Sequence, residues 1–268
     1  MKDTEFTDLM KNPSATVAEI DAMVKKYQLQ GVEIKCDGVI TEQNKDLYTK
    51  FLNELKTTLN QGNNKQCPIT VSIRVPVYNL RLNETYNIEL LNSLHHVSLE
   101  SFQTLLTESQ LVSPLFSVPN DGQTAIDTTI THWINQGLKR EVLLMHIPAY
   151  GLIQQLSNVR KHEVGETVKE NFIQIVTQKD ICAKLEDNSG VQNKLIYDYV
   201  AAYAITPTNE WISYESQATI TYKMKYAIRE GLAGIGLMSL NDDDDESVCK
   251  QGVFPLLHAI NRNVCPSS

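Results

Sequence analysis

The clearest indication of the fold lies in Tyr27-Gln28-Leu29-Gln30-Gly31-Val32-Glu33-Ile34-Lys35-Cys36-Asp37, where a helical pattern passes into a short strand. Apolar residues at helical spacing over 16–27 predict the helix. Successive side chains of a strand point to opposite faces, so Glu33, Lys35 and Asp37 share one face. Burying these charges is costly unless they compensate one another, and Lys35 between two carboxylates supplies a counter-charge. The face is therefore predicted to be either a structural salt bridge or a reactive site.

Helix and strand patterns alternate along most of the chain. Helical spacing is found at 16–27, 47–59, 88–94, 125–137, 218–229 and 254–263, and short apolar strands are found at 31–37, 68–75, 97–99, 142–148 and 234–240. Such alternation predicts parallel β/α units with strands buried on both faces, which fits a doubly wound sheet or a barrel. Leu152 to Trp211 breaks the rhythm, being more polar and holding a turn at Asn188-Ser189-Gly190, and it is predicted to be an inserted subdomain.

Composition limits the classes of function. The chain has 268 residues, 42% hydrophobic and 21% charged, which is enough to bury the core of one large domain or of a domain with a subdomain. A net charge of -8 argues against nucleic acid or an anionic membrane surface as a partner. The apolar runs are too short to span a bilayer. The 5 cysteines form no zinc-type spacing, so no metal is expected.

Four segments, taken together and in order, resemble glycoside hydrolase family 18, the chitinases. Residues 27–37 resemble the fourth-strand signature Asp-x-x-Asp-x-Asp-x-Glu, and 146–151 resemble Gly-Ile-Pro-Thr-Tyr-Gly at the end of strand seven. Residues 210–215 are similar to Trp-Val-Ser-Tyr-Asp, and 234–257 are similar to the last strand, acidic loop and last helix. The resemblance implies an α/β protein, a (β/α)8 TIM barrel of the chitinase type with an inserted α+β subdomain.

The same register implies that the barrel is N-terminally incomplete, with strands four to eight only. The expected division is 1–151 for strands four to seven, 152–212 for the inserted subdomain, and 213–264 for strand eight and the last helix. An open barrel exposes strand edges. We therefore expect either an incomplete gene model, lacking an upstream exon with the signal peptide, or a non-functional fragment. The resemblance implies an extracellular protein, although the first residues of this chain lack a signal peptide.

In that family hydrolysis is substrate-assisted: the last Glu of the signature protonates the leaving oxygen, and the middle Asp steadies the acetamido group of the substrate. By resemblance, Asp37 takes the position of the proton donor with roughly 1.5 Å less reach. Lys35 takes the position of the middle Asp, and Glu33 that of an earlier acid. A cation at 35 should lower the pKa of Asp37, whereas a general acid must keep its proton near neutral pH.

The resemblance thus implies a chitinase-like protein without hydrolase activity, whose partner would be chitin or a chito-oligosaccharide bound weakly or no longer bound. The alternative is a slow chitinase that uses Asp37 as its acid. No cofactor is implied, and the oligomeric state is left open.

Other site residues follow from the same register. Tyr150 and Trp211 are candidates for a sugar groove, although aromatic residues at strand ends also build cores. Met238 takes the position of the family's Trp beneath the reacting sugar, where it lacks an aromatic plane for stacking. Cys182 and Cys249 match two family positions that form a disulfide.

Four further features have simpler explanations. Asn83-Glu84-Thr85 fits a glycosylation sequon, which matters only in a secreted chain. The acidic run 242–245 lacks the pattern of a calcium loop and is predicted to be a solvated loop. His95 and His96 have no third ligand at metal spacing and are predicted to be structural. The strand-six motif Met-Thr-Tyr-Asp of the family would fall at Glu100-Ser101-Phe102-Gln103, where its Tyr and Asp are missing.

Overall fold

The computed structural model describes residues 12–35, 44–61, 68–76, 85–100, 107–119, 125–187 and 190–264. The chain forms two compact units. The first comprises Met1–Glu100 and Thr131–Leu144, and the second comprises Ser101–Ile130 and Met145–Ser268. Among the described helices, none has both the length and the apolar character that crossing a membrane requires.

The first unit begins with the predicted alternation of helices and strands. Its elements are α1 (Pro13–Tyr27), β1 (Gly31–Lys35), α2 (Lys45–Asn60), β2 (Thr70–Pro76), α3 (Ile88–Leu91) and β3 (Val97–Glu100). The strands pair in parallel, β1 with β2 and β2 with β3. Parallel neighbours need a crossover between them, which the helices provide. At the start of the β1–β2 pair, a Cβ on Gly31 would lie 1.9 Å from Thr70 Oγ1, so glycine permits this close approach.

One face of these strands builds the core of the first unit. Buried apolar residues alternate along β2, and buried residues of α2 recur at helical spacing. They are Val71, Ile73 and Val75 from β2, and Tyr48, Phe51, Leu52, Leu55 and Leu59 from α2. The other face of β1, β2 and β3 carries polar side chains. The sequence predicted strands buried on both faces. This holds in part for β2 and β3, where Ser72 and Ser98 on the polar face are buried, whereas Glu33 and Lys35 of β1 are exposed.

Helix α4 (Ile126–Asn135) ends where the sequence predicts, at a glycine. Gly137 has a φ of 97°, a left-handed conformation that glycine adopts without a steric penalty. The amide of Gly137 bonds the carbonyl of Ile134, and the amide of Leu138 bonds that of Trp133. These two bonds satisfy carbonyl groups that the helix end would otherwise leave unpaired.

The second unit contains an antiparallel sheet whose strands the sequence pattern did not resolve. After β4 (Leu143–Pro148) come β5 (Gly151–Leu156), β6 (Val168–Val176), α5 (Gln178–Asp187), β7 (Gln192–Ile196), β8 (Ala201–Ile205) and β9 (Glu210–Tyr214). The sheet order is β6-β5-β9-β8-β7. All residues of β8 are buried. Because a strand covered on both faces shows no polar alternation, periodicity alone does not distinguish it from a buried helical segment.

The chain then continues with α6 (Gln217–Arg229), β10 (Gly234–Met238) and α7 (Pro255–Val264). Ser216 caps α6: its hydroxyl accepts a hydrogen bond from the Thr219 amide, and the Thr219 hydroxyl accepts one from the Ser216 amide. This reciprocal pair satisfies free donors at the helix start.

A fully buried ion pair ties α6 to β9 and to the segment before α4. Lys223 on α6 and Glu215 after β9 form a salt bridge with side chains that are 0% and 1% exposed. Lys223 Nζ also lies 2.6 Å from the carbonyl oxygen of Ser113. The second carboxylate oxygen of Glu215 accepts a hydrogen bond from the Thr219 hydroxyl at 2.6 Å. Burial lowers the pKa of Lys223, while the Glu215 carboxylate opposes that change.

Candidate functional site

The polar face of β1, β2 and β3 carries the residues that the sequence singled out. The parallel register sets Lys35 beside Arg74 and Arg74 beside Ser98. Glu33 lies two residues before Lys35, and Glu100 two residues after Ser98, so all five side chains belong to one face. The strand geometry thus brings together charges from three separate parts of the sequence.

The charges on this face are paired across the strands. Lys35 Nζ lies 2.9 Å from the Glu100 carboxylate. The two residues belong to β1 and β3, whose backbones are two strand spacings, or about 10 Å, apart across the sheet. Arg74 donates from Nε to Glu33 Oε2 at 2.9 Å and makes a second contact from Nη2 to the same oxygen. The Ser98 hydroxyl donates to Glu33 Oε1 at 2.5 Å. The sequence predicted compensation among Glu33, Lys35 and Asp37. In the structure Glu100 of β3 and Arg74 of β2 also supply opposite charges to this set.

These ion pairs are partly open to solvent. The side chains of Lys35 and Glu100 are 41% and 13% exposed, and those of Arg74 and Glu33 are 22% and 28% exposed. Exposed pairs of this kind contribute little to stability, typically less than about 1 kcal/mol. Their main effect is to orient the four side chains. The face presents a cation at the position where the resemblance requires the carboxylate that assists the substrate.

His96 precedes β3. Its burial lowers the pKa of His96, the neighbouring His95 lowers it further, and Glu33 opposes both effects. Among the described residues, His96 Nδ1 has no hydrogen-bond partner. The imidazole is therefore neutral at neutral pH. No group of three or more His, Cys, Asp or Glu in the described ranges has the arrangement to hold a metal ion.

Two of the predicted site residues lie outside the described residues, Asp37 and the sequon residue Asn83. Tyr150 is half-buried directly after β4, and Met238 is half-buried at the end of β10. The amide of Ala149 donates to the carbonyl of Met238 at 2.6 Å, so the two strand ends meet. This contact brings the backbone segments that carry Tyr150 and Met238 together, as the barrel register requires.

Trp211 belongs to the core of the antiparallel sheet. It is 0% exposed, and its indole ring stacks on Tyr203 with ring centroids 3.9 Å apart. The indole N–H donates to the carbonyl of Gln110 at 2.8 Å. Both the face and the polar edge of the ring are therefore occupied within the protein, and no surface of Trp211 is open to a sugar in this structure.

The predicted disulfide is present. Cys182 on α5 and Cys249 in the loop after β10 are bonded with an S–S distance of 2.03 Å. The sequence separation of 67 residues shows why spacing alone could not identify the pair, which came from the resemblance.

The acidic run 242–245 differs from its prediction. Asp243 and Asp244 are 0% exposed. The Asp243 carboxylate accepts hydrogen bonds from the amides of Leu256 and Leu257, in the first turn of α7. A carboxylate there satisfies free amides and interacts favourably with the helix dipole. The expectation of a fully solvated loop is wrong for these two residues, because their carboxylates replace water with backbone donors.

Three residues that define the geometry were missed from the sequence. Arg74 and Lys223 were not considered, and Glu100 appeared only in a loose alignment. For Arg74 and Glu100 a signal was available, namely polar residues at alternate positions of strands next to the acid strand. Lys223 sits in an ordinary amphipathic helix, and nothing local marks it as buried.

Known proteins resemble this chain in sequence and in structure. A sequence model described as Glycosyl hydrolases family 18 matches residues 2–243. Chitinase-like protein C25A8.4 of Caenorhabditis elegans is 26% identical over 257 residues, covering 93% of this chain and 22% of that protein. The chain spans between 10% and 32% of the length of the curated relatives it matches.

Two solved structures illustrate the structural likeness. The immunomodulatory active chitinase TsES1 from Trichuris suis has a TM-score of 0.87 and 16% identity, covering 97% of this chain and 76% of that chain. Human YKL-39, described as a pseudo-chitinase with retained chitooligosaccharide binding properties, has a TM-score of 0.82 and 20% identity, covering 92% and 72%. These matches confirm the predicted chitinase-type barrel fold with its inserted α+β subdomain.

Proposed function

The chain belongs to glycosyl hydrolase family 18, and on that premise we propose that it is a chitinase-like protein that binds chitin or N-acetylglucosamine oligosaccharides without hydrolysing them. The observation that carries the proposal is the ion pair between Lys35 and Glu100 at 2.9 Å. Substrate-assisted hydrolysis needs a carboxylate beside the acetamido group of the substrate. A lysine held in place by its own counter-charge cannot provide one.

The proposed loss of activity has two further supports. Glu33 is held by Arg74 and Ser98, so this carboxylate is already engaged on the face where the family keeps its acids. Asp37, at the position of the proton donor, has a side chain one carbon shorter than Glu. A displacement of that size can lower a rate by about 100-fold. Together with Lys35, these two positions support the proposed loss of acid catalysis.

Retained binding is proposed because recognition of a sugar does not depend on proton transfer. Polar side chains and half-buried apolar groups are sufficient to orient a saccharide. This face has polar groups, and within the second unit the backbone segments that carry Tyr150 and Met238 meet. YKL-39 is described as a pseudo-chitinase that retains such binding, which shows that this fold can separate the two properties. Methionine at 238 lacks an aromatic plane, so we propose an affinity below that of a chitinase with Trp there.

We propose an extracellular location on the basis of the family resemblance. The Cys182–Cys249 disulfide supports it, because disulfides persist in oxidising compartments and are rare in the cytosol. The division into 1–151, 152–212 and 213–264 is likewise retained as a proposal for the functional organisation of the chain.

The test combines a binding and a turnover measurement on the full chain. We expect isothermal titration calorimetry with chitotetraose to give saturable heat, and a chitotriose-type fluorogenic substrate to give no release above a protein-free blank. Lys35→Met serves as a matched variant that removes the cation and nearly keeps the length of the side chain. Turnover that disappears in Asp37→Ala would establish the alternative, a slow chitinase. Absence of binding to both chitotetraose and colloidal chitin would refute the proposed binding function.

A further inference from the structure

One side of helix α5 faces a single loop after β10. Lys179, Cys182 and Glu186 are spaced by three and four residues, which places them on the same side of the helix. Their partners all lie in residues 245–250, which we call the clasp loop. The contacts are Lys179 Nζ to Asp245 at 3.1 Å and to Glu246 at 2.6 Å, Cys182 to Cys249 through the disulfide, and Lys250 Nζ to Glu186 at 2.9 Å.

The order of charges on the two sides is complementary. Along α5 the order is cation, cysteine, anion; along the clasp loop it is anions, cysteine, cation. A shift of the loop along the helix would bring like charges closer together and separate the opposite ones. The ion pairs therefore specify the same register as the disulfide, independently of the covalent bond.

The clasp loop is also held from its own side. The fully buried carboxylate of Asp244 accepts hydrogen bonds from the amides of Glu246 at 3.2 Å, Val248 at 3.0 Å and Cys249 at 2.8 Å. The amide of Phe254 donates to the Asp244 carbonyl at 2.7 Å. Bonds from a carboxylate to backbone amides are among the stronger hydrogen bonds in proteins. Cys249 is thus positioned by Asp244 whether or not its sulfur is bonded.

From these contacts we infer that Cys182 and Cys249 form a reversible thiol–disulfide site, whose two thiols stay paired after reduction and re-form the same bond with a small disulfide such as glutathione disulfide. Both residues are half-buried, and access of a small reagent to the two sulfurs is part of the inference. The inference is independent of saccharide binding. It assigns to the clasp contacts the role of keeping the reduced thiols in register.

The exchange is balanced in atoms and electrons. A dithiol reductant gives two electrons and two protons to the S–S bond, which becomes two thiols, while the reductant becomes a disulfide. In the reverse direction one thiolate attacks glutathione disulfide and releases one glutathione thiolate. The second cysteine thiolate then attacks the mixed disulfide and releases the other. The two protons lost by the cysteines pass to the two glutathione leaving groups.

The experiment follows re-formation of the bond in the full chain. The protein is reduced with dithiothreitol, freed of reductant, mixed with glutathione disulfide, and alkylated at intervals. The Cys182–Cys249 peptide is then quantified by mass spectrometry. Lys179→Met with Glu186→Gln removes the three ion pairs that flank the disulfide. It should slow re-formation about tenfold, since exposed pairs contribute about 0.5 kcal/mol each. Lys184→Met is the matched control: it breaks an ion pair to Glu210 from the same helix and should leave the rate unchanged.

A second arm uses the unaltered chain, so the test does not depend on how the variant folds. Raising the salt concentration to 1 M should slow re-formation in the parent to the rate of the double variant, because salt screens exposed charges. The reduced parent should keep its circular dichroism spectrum. Equal rates for parent and double variant, salt-independent re-formation, unfolding on reduction, or preferential pairing with other cysteines would each overturn the inference. No saccharide enters the experiment, so its outcome is separate from that of the binding test.

Discussion

Replacing Lys223 by methionine should destabilise the folded chain by about 3–5 kcal/mol. Lys223 and its partner Glu215 are 0% and 1% exposed, so the substitution leaves a carboxylate in the interior without its counter-charge. Hydrogen bonds from the hydroxyls of Ser113 and Thr219 remain, but these cannot neutralise it. Methionine has nearly the length of lysine, so little cavity is created. For a chain of this size the loss corresponds to a fall in Tm of roughly 10 °C.

The assay is a double-mutant cycle in urea, followed by circular dichroism. Glu215→Gln alone should also be costly, because it leaves the ammonium group unpaired. The double variant should recover most of the loss, since it buries neither charge. The same cycle at Lys35 and Glu100, whose side chains are 41% and 13% exposed, should give a coupling below about 1 kcal/mol. Equal coupling energies at the two pairs would refute the argument that burial sets their strength.

Three further outcomes follow from the structure. Lys35→Asp together with Asp37→Glu should give measurable turnover of a chitotriose-type substrate, whereas Asp37→Glu alone should give none, because the cation at 35 remains. His96→Gln should flatten the pH dependence of stability below pH 6.5. Because the pKa of His96 is lower in the folded state, its contribution to stability is present above the unfolded-state pKa and is lost as pH falls through the folded-state pKa. Urea titrations at several pH values measure this. Trp211→Ala should cost about 3–5 kcal/mol in urea unfolding, because it empties a core position and leaves the Gln110 carbonyl without its donor.

Much of the fold could be predicted because its signals are local. The helices at α2, α4 and α6 follow from apolar spacing, and the end of α4 follows from Gly137. The antiparallel sheet was not resolved strand by strand. A strand such as β8 is buried along its whole length, so it lacks the alternation that marks a strand with one face in water.

The candidate site was predicted only in part, because only some of its signals are local. The shared face of Glu33 and Lys35 follows from the period of a single strand, and the sequence identified it. The partners Arg74 and Glu100 are 41 and 65 residues away from the residues they neutralise, and sheet register alone brings them together. The predicted role of Trp211 depended on whether a strand end faces solvent, which only the packing of Tyr203 against it could decide.

From the sequence alone came the prediction that Lys35 stands where the family requires a carboxylate, since a change of residue type at a motif position is a property of the chain. Tertiary structure decided what that lysine does: Glu100 neutralises it, while Arg74 and Ser98 occupy Glu33. Tertiary structure also decided that Asp243 and Asp244 are buried rather than solvated. Their carboxylates accept hydrogen bonds from backbone amides of helix α7 and of the loop after β10. The physical reason is common to these cases. Periodicity fixes the direction of a side chain relative to its own helix or strand, whereas its charge partner and its exposure depend on segments far away in the sequence.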